Sequence, residues 1–185
     1  MNTQPVISVI VITYKSEEFI LETLNSAKAQ TYQNIELIIS DDNSPDNTIA
    51  VCEKWIEKNK DRFVRTEIIR SAKNTGTSAN LNRGFSAATG DWVKFIAGDD
   101  YLYPDCLEAF LTVANTNPEI EFLFSNMTTN GVESENTGLI QFFSLSKEQQ
   151  YHTLLKNNIL PAPATLIKRE TVKRINGFDE RFQLL

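Results

Sequence analysis

Seven residues near the start of the chain, Val6-Ile7-Ser8-Val9-Ile10-Val11-Ile12, constrain its fold more than any other stretch. All but Ser8 are β-branched aliphatics, and they run on without polar alternation. A run of that kind predicts a strand buried on both faces, which places it at the centre of a parallel sheet with helices on either side. It is far too short to cross a membrane, which takes about 20 residues.

The rest of the first two thirds repeats the theme of short apolar run and amphipathic stretch. Further strands are predicted at Ile35–Ser40, at Val64–Arg70 with weaker alternation and so nearer an edge, at Trp92–Ala97 and at Phe122–Phe124. Helical faces between them are marked by Ile20, Leu24 and Ala27, by Ile49, Cys52 and Ile56, and by Leu81, Phe85 and Ala88. Gly90 stops the third helix, and Pro104 opens a fourth with Leu107, Phe110, Leu111 and Ala114 facing inward. Ser16 is expected to cap the first helix, with Glu17 and Glu18 in its first turn. The pattern predicts an α/β fold, doubly wound, with a mostly parallel sheet and helices on both faces.

After Asn126 the rhythm breaks. Residues 127–145 read as a loop or irregular hairpin, and Ser146-x-x-Gln149 is a capping box ahead of a short helix with Tyr151, Leu154 and Leu155. The segment Leu160–Ile167 follows, then a last short helix closed by Asn176-Gly177.

Composition narrows the function. A net charge of -6 argues against a nucleic-acid partner, because neutralising phosphates takes a basic stripe. The first residues lack the charged n-region of a signal peptide, so a cytoplasmic chain is expected. Cys52 and Cys106 sit in helical patterns and are expected to be reduced core thiols.

In an open parallel sheet, ligands bind beyond the carboxyl ends of the strands, where strand order reverses. The first strand delivers Thr13, Tyr14 and Lys15 there, the second Asp41 and Asp42, and the fourth Asp99 and Asp100. The loop before the third helix adds Asn74, Gly76, Ser78 and Asn80. Taken singly, Asp41-Asp42 can be a turn former, Tyr14 a cover for the core and Gly76 a turn glycine. Asp99-Asp100 precedes the next helix without occupying its cap, and adjacent like charges call for a cation or donors. Together the set describes a nucleotide diphosphate site, with Mg²⁺ or Mn²⁺ shared between carboxylate and phosphates. A Rossmann dehydrogenase needs glycines after the first strand, where this chain has Thr13-Tyr14-Lys15-Ser16. A receiver domain needs its acidic pair after the first strand rather than the second and fourth.

The ordered segments Ile7–Lys15, Ala29–Ser44, Asn74–Gly84 and Thr89–Asp100 resemble family 2 glycosyltransferases of the GT-A fold, as does Asn176-Gly177-Phe178-Asp179-Glu180. The resemblance implies a nucleotide-binding half at 1–126 and the start of an acceptor-binding half at 127–185. It implies that Thr13 and Tyr14 lie along the base, that Asp42 accepts a hydrogen bond from a uracil-type ring nitrogen, that Asp99 contacts the ribose and that Asp100 holds the metal. It also implies an inverting transfer from a nucleotide-diphosphate sugar, a UDP-sugar for preference, to a saccharide or lipid-linked acceptor. The family's general base follows the segment that ends here at Glu180, so it is expected beyond Leu185. Two departures stand out. Ala97 replaces a further acidic residue, and Leu81 replaces an arginine, leaving Lys73 or Arg83 as cations for the rim. These keep a degenerate, non-catalytic nucleotide-sugar-binding or receiver-like signalling domain as the alternative. Lys168, Arg169, Lys173 and Arg174 would give peripheral contact with an anionic membrane if all faced it. Phe142-Phe143 reads as a local core patch, and His152 as a surface residue.

Overall fold

The computed structural model describes residues 4–129, 132–133, 137–157 and 160–181. In chain order the elements are β1 (Ile7–Thr13), α1 (Ile20–Lys28), β2 (Ile35–Asp41), α2 (Thr48–Asn59), β3 (Arg65–Arg70), α3 (Thr77–Ala87), β4 (Trp92–Ala97), α4 (Cys106–Thr116) and β5 (Phe122–Phe124). Then come β6 (Thr128–Thr129), β7 (Val132–Glu133), α5 (Thr137–Ser144), α6 (Lys147–Lys156), β8 (Thr165–Lys168) and α7 (Arg169–Arg174). Six strands form one sheet in the order β3-β2-β1-β4-β8-β5, and β6 pairs with β7 apart from it.

The central position of β1 follows from its composition. Ile7, Val9 and Val11 point to one face and pack with Ile35, Leu37 and Ile39 of β2 against α1, α2 and α4. Ile10 points to the other face and packs with Ile38, Val93 and Phe95 against α3 and Val172 of α7. Each fully buried aliphatic here contributes about 1.5–3 kcal/mol of transfer free energy, which is what two-sided apolarity supplies. β1 pairs in parallel with both β2 and β4, so strand order reverses on either side of it and a crevice opens beyond its carboxyl end. β3, whose alternation is weakest, lies at one edge.

Several expectations change. Ser16 does not cap α1 with its hydroxyl: the helix begins at Ile20, preceded by a turn in which the Ser16 carbonyl accepts from Phe19 and Ile20. The Ser16 amide is committed instead to Thr48 Oγ1, 2.9 Å away, which ties the end of β1 to the start of α2. Beyond Asn126, α5 occupies part of what read as a loop, and β8 occupies the end of the Leu160–Ile167 segment. β8 enters between β4 and β5 antiparallel to both, so β5 does not pair with β4. The capping box is present, with Ser146 Oγ accepting from the Gln149 amide and Gln149 Oε1 from the Ser146 amide. Phe142 is buried, whereas Phe143 is exposed. Cys52 is fully buried, with burial pushing its thiol up to about 12. Cys106 is only half-buried, and neither cysteine is in a disulfide.

Candidate active site

The loops after β1 and β2 are stitched together before any ligand is considered. The Asp42 amide donates to the Thr13 carbonyl at 2.9 Å, and the Lys15 amide donates to Ser44 Oγ at 3.0 Å. Lys15 and Asn43 take left-handed φ values of 56° and 65°, the sharp bends that turn both loops over the rim. Tyr14 stays 43% exposed, its ring approached by Lys15 Nζ at 5.3 Å from the centroid. That leaves an aromatic surface at the mouth of the crevice for a flat group to stack on.

The two adjacent aspartates of the second strand do different work. Asp41 is buried, and its carboxylate accepts from Thr13 Oγ1 at 2.8 Å and from the amide and hydroxyl of Ser44. It braces the turn from behind the rim. Asp42 is also buried, but on the other side, where it receives the loop that starts α3. Its Oδ2 accepts from the Thr75 amide at 2.9 Å and the Gly76 amide at 2.7 Å. Its Oδ1 accepts from Thr75 Oγ1 at 2.7 Å and Arg83 Nη2 at 3.2 Å. Gly76, at φ 89°, is the left-handed residue that lets two successive amides converge on that carboxylate. Asn80 is buried and joins three elements: its Nδ2 donates to the Thr13 carbonyl, while its Oδ1 accepts from Ser40 Oγ and Arg83. Of the cations proposed for the rim, Arg83 is the one placed on it.

On the β4 side, the turn Gly98-Asp99-Asp100 comes close to β1. A Cβ at Gly98 would lie 2.7 Å from Ser16 Oγ, so a larger residue would push the two aspartates off the rim. Asp99 is exposed and Asp100 half-buried. Burial holds the Asp100 carboxyl above its ordinary range; the Ala97 amide, donating at 3.3 Å, opposes this, while the Asp99 charge reinforces it.

A cavity of about 610 Å³ opens beside these aspartates, walled by Tyr101, Tyr103, Phe110, Phe124 and Pro163. Beneath it lies a residue the sequence reading passed over. Lys94, on β4, is completely buried; its Nζ donates to the Pro163 carbonyl and stands 5.1 Å from the Phe110 ring centroid. Burial pulls its ammonium down to about 8, partly offset by Cys106 and Asp100. A lysine inside a β-branched strand carries no local signal, because its burial depends on Phe110 and Pro163, which are remote in sequence.

The rim therefore brings Thr13, Tyr14, Asp42, Gly76 and Asn80 together at one end and sets Asp99 and Asp100 at the other. Among the described residues, no group of three or more His, Cys, Asp or Glu is placed to hold a metal. Two carboxylates nevertheless suit a hard cation that takes its remaining ligands from a diphosphate, since such ions are usually held by one or two carboxylates. Asp179 and Glu180 are occupied, Asp179 by Arg181 and Glu180 by Asn82 Nδ2. Asn82 also pairs with both the amide and the carbonyl of Phe178, which anchors that segment on α3. The basic residues near α7 are largely answered within the chain. Lys168 donates to the Pro118 carbonyl, Arg169 to the Gly90 carbonyl, Lys173 to Glu170 and Arg174 to Glu121. Among the described residues no helix is long and apolar enough to cross a membrane.

The mixed six-stranded sheet and its flanking helices have the GT-A fold of solved glycosyltransferases. The glycosyl transferase family 2 pattern matches residues 8–175, and the chain belongs to that family. An uncharacterized glycosyltransferase of Haemophilus influenzae is 32% identical over 169 residues, covering 91% of this chain and 64% of its own. The putative teichuronic acid biosynthesis glycosyltransferase TuaG of Bacillus subtilis is 28% identical over 94% of this chain and 66% of its own. Among solved structures, S. aureus TarS 1-349 in complex with UDP superposes with a TM-score of 0.75 at 24% identity, over 96% of this chain and 51% of that one. The mannosyltransferase PcManGT from Pyrobaculum calidifontis, in complex with GDP-Man and Mn²⁺, gives 0.73 at 20%, over 97% and 49%. The chain thus spans less than two thirds of the Haemophilus relative and about half of each solved structure.

Proposed function

We propose that this chain binds a nucleotide-diphosphate sugar across the β1–β4 rim and serves its transfer, with inversion, to a hydroxyl of a saccharide or lipid-linked acceptor in surface polysaccharide synthesis. The observation that carries the reading is the convergence of an exposed aromatic ring, a carboxylate-bound glycine loop and an aspartate pair at the sheet's switch point. Residues up to 126 carry the donor side, and those from 127 contribute to the acceptor side. Tyr14 stacks on the base, Asp42 and the Thr75–Gly76 loop border its edge, and Asp99 reaches the ribose. Thr13, Asp41 and Asn80 hold these groups in place. Asp100, with Asp99 beside it, would hold Mg²⁺ or Mn²⁺, which when bound neutralises the charge gathering on the departing diphosphate. The UDP of the TarS complex and the GDP-Man and Mn²⁺ of the mannosyltransferase complex support this class of donor and cofactor. The teichuronic acid relative supports the polysaccharide setting.

Thermal unfolding followed with UDP, GDP, CDP and ADP, each with and without Mn²⁺, tests the reading. A metal-dependent rise in melting temperature for at least one of them is expected, because a ligand that binds only the folded state stabilises it. No shift with any of the four would overturn it. Asp42→Ala is expected to weaken binding by about 1.5–3 kcal/mol, the range for a hydrogen bond to a charged group. Unchanged affinity for every nucleotide in calorimetry would reduce Asp42 to a clamp on its loop.

A further inference from the structure

We infer that the cavity beside Asp99 and Asp100 seats a neutral sugar ring of the acceptor, so that the accepting group is a saccharide hydroxyl and not a lipid phosphate. The inference rests on the nucleotide-sugar reading above and adds to it a site and a substrate class. At about 610 Å³, with aromatic walls and a few polar groups, the cavity has the size and make-up of a small-molecule site. Its walls are fixed before anything binds. The buried Gln30 donates from Nε2 to the Tyr103 carbonyl at 2.8 Å and accepts on Oε1 from the Leu107 amide at 3.1 Å. The Leu102 amide donates to Ser26 Oγ at 3.0 Å. The Tyr103 hydroxyl meets Thr128 Oγ1 at 3.0 Å, and the Tyr101 ring stands edge-on to that of Tyr103 with centroids 6.2 Å apart. Tyr101 and Tyr103 are nevertheless 48% and 52% exposed, so ring surface remains for a ligand to cover. Rings already held in place cost a ligand little ordering.

A pyranose suits such a cavity. Its C–H face is apolar and lies against the negative face of an aromatic ring, while the hydroxyls around its edge reach for polar groups. Ser125, Asn126 and Thr128 line the wall with neutral hydroxyl and amide groups, and Asp99, Asp100 and Asp105 bring carboxylates. A hydroxyl that donates to a carboxylate makes the stronger, charge-assisted bond. A phosphate meets the reverse. No lysine, arginine or histidine is among the described residues that line the cavity. Lys94 lies beneath it, but completely buried and with its ammonium given to the Pro163 carbonyl. The charge of a divalent cation at Asp100 is matched by the donor diphosphate, which leaves carboxylates in excess. Like charges repel more in a walled cavity than in open water, so a lipid phosphate is turned away. A bare hydrocarbon tail would strip water from the same carboxylates and amides without replacing its bonds.

The test is saturation-transfer NMR on the full chain with Mn²⁺ and whichever of UDP, GDP, CDP and ADP raises the melting temperature. The saccharide probes are the methyl glycosides of glucose, galactose, mannose and N-acetylglucosamine, and farnesyl phosphate is the lipid-phosphate probe. Transfer to at least one glycoside is expected, with farnesyl phosphate bound at least about tenfold more weakly. Ala109 lines the cavity from α4, so Ala109→Trp would fill it and should weaken glycoside binding at least about tenfold. Tyr103→Ala should do the same, and Tyr103→Phe, which keeps the ring, should restore most of the affinity. Transfer to no glycoside, transfer undiminished in Ala109→Trp, or farnesyl phosphate bound as tightly as the best glycoside would each overturn the inference. Displacement of the glycoside by UDP-glucose, UDP-N-acetylglucosamine or GDP-mannose would give the cavity to the donor's own sugar and overturn it too. If Ala109→Trp fails to fold, the two Tyr103 variants decide: equal affinities overturn the inference, and a loss in Tyr103→Ala alone supports it. A chain that binds no nucleotide diphosphate overturns the nucleotide-sugar reading itself, whereas one that binds nucleotide but no glycoside overturns only the inference.

Discussion

Asp100→Ala is expected to abolish Mn²⁺-dependent binding of UDP while leaving the fold intact. The site has no third carboxylate to take over, since Ala97 stands two residues before the aspartate pair and no larger acidic cluster exists among the described residues. Affinity in the presence of Mn²⁺ should fall by at least about a hundredfold, more than the 10–100-fold lost when only an outer partner of a metal ligand is removed. Stability should hardly change. Asp100 makes one long bond, to the Ala97 amide; its removal loses that bond and an attraction to the buried Lys94, and relieves a half-buried charge beside the like charge of Asp99. Calorimetry with and without Mn²⁺, alongside urea unfolding, checks both halves. Wild-type Mn²⁺-dependent affinity in a folded variant would show that the metal is held elsewhere.

Glu36→Ala should have the opposite profile, a large loss of stability with no direct effect on the rim. Glu36 lies on β2 near the amino ends of the strands, and it is fully buried. Its carboxylate accepts from Ser8 Oγ, from the amide and hydroxyl of Thr89, from the Gly90 amide at 2.9 Å, and from Arg65 at 3.0 Å. Truncation strands donors, above all the buried Ser8 hydroxyl, while the Gly90 amide keeps Ser8 Oγ as an acceptor at 3.0 Å, for a cost on the order of 3 kcal/mol. Burial by itself would raise the Glu36 pKa, but the Ser8, Thr89 and Gly90 bonds outweigh it and hold the carboxyl below its ordinary 4.5. The unfolded chain therefore binds the proton first. The contribution is fully present above the ordinary value and is lost as pH falls through the lower folded value. Urea midpoints of the natural chain should drop across that acidic window, and those of Glu36→Ala should be lower throughout and flatter with pH. Parallel pH profiles for the two proteins would remove Glu36 as the source.

Several elements were legible because their causes are local. The β1 run is almost wholly apolar and β2 carries the apolar face Ile35, Leu37 and Ile39, and the Ser146–Gln149 capping box lies within four consecutive residues. β8 was not legible. Its four residues follow a proline-rich segment, and they become a strand only because Trp92 and Val93 on one side and Phe122–Phe124 on the other supply its hydrogen bonds. Ser16 has the chemistry of a cap, yet its amide finds Thr48 across the sheet edge and the helix starts later.

From its residues alone, the chain determined a two-sided central strand, helices between parallel strands, and two aspartate pairs and a glycine loop delivered to one rim. Hydrophobic period and turn chemistry act over a few residues, so they can be read in order along the chain. Which aspartate faces the crevice was left to the tertiary structure. Asp41 and Asp42 are neighbours of the same type, and the alternation of a strand sends them to opposite sides without saying which side holds α3. Packing decided it: Asp41 meets Thr13 and Ser44, while Asp42 meets Thr75, Gly76 and Arg83. The ion pair between Asp42 and Arg83 and the burial of Lys94 beneath the cavity arise in the same way. Each joins residues far apart in sequence, and neither exists until the sheet has brought them together.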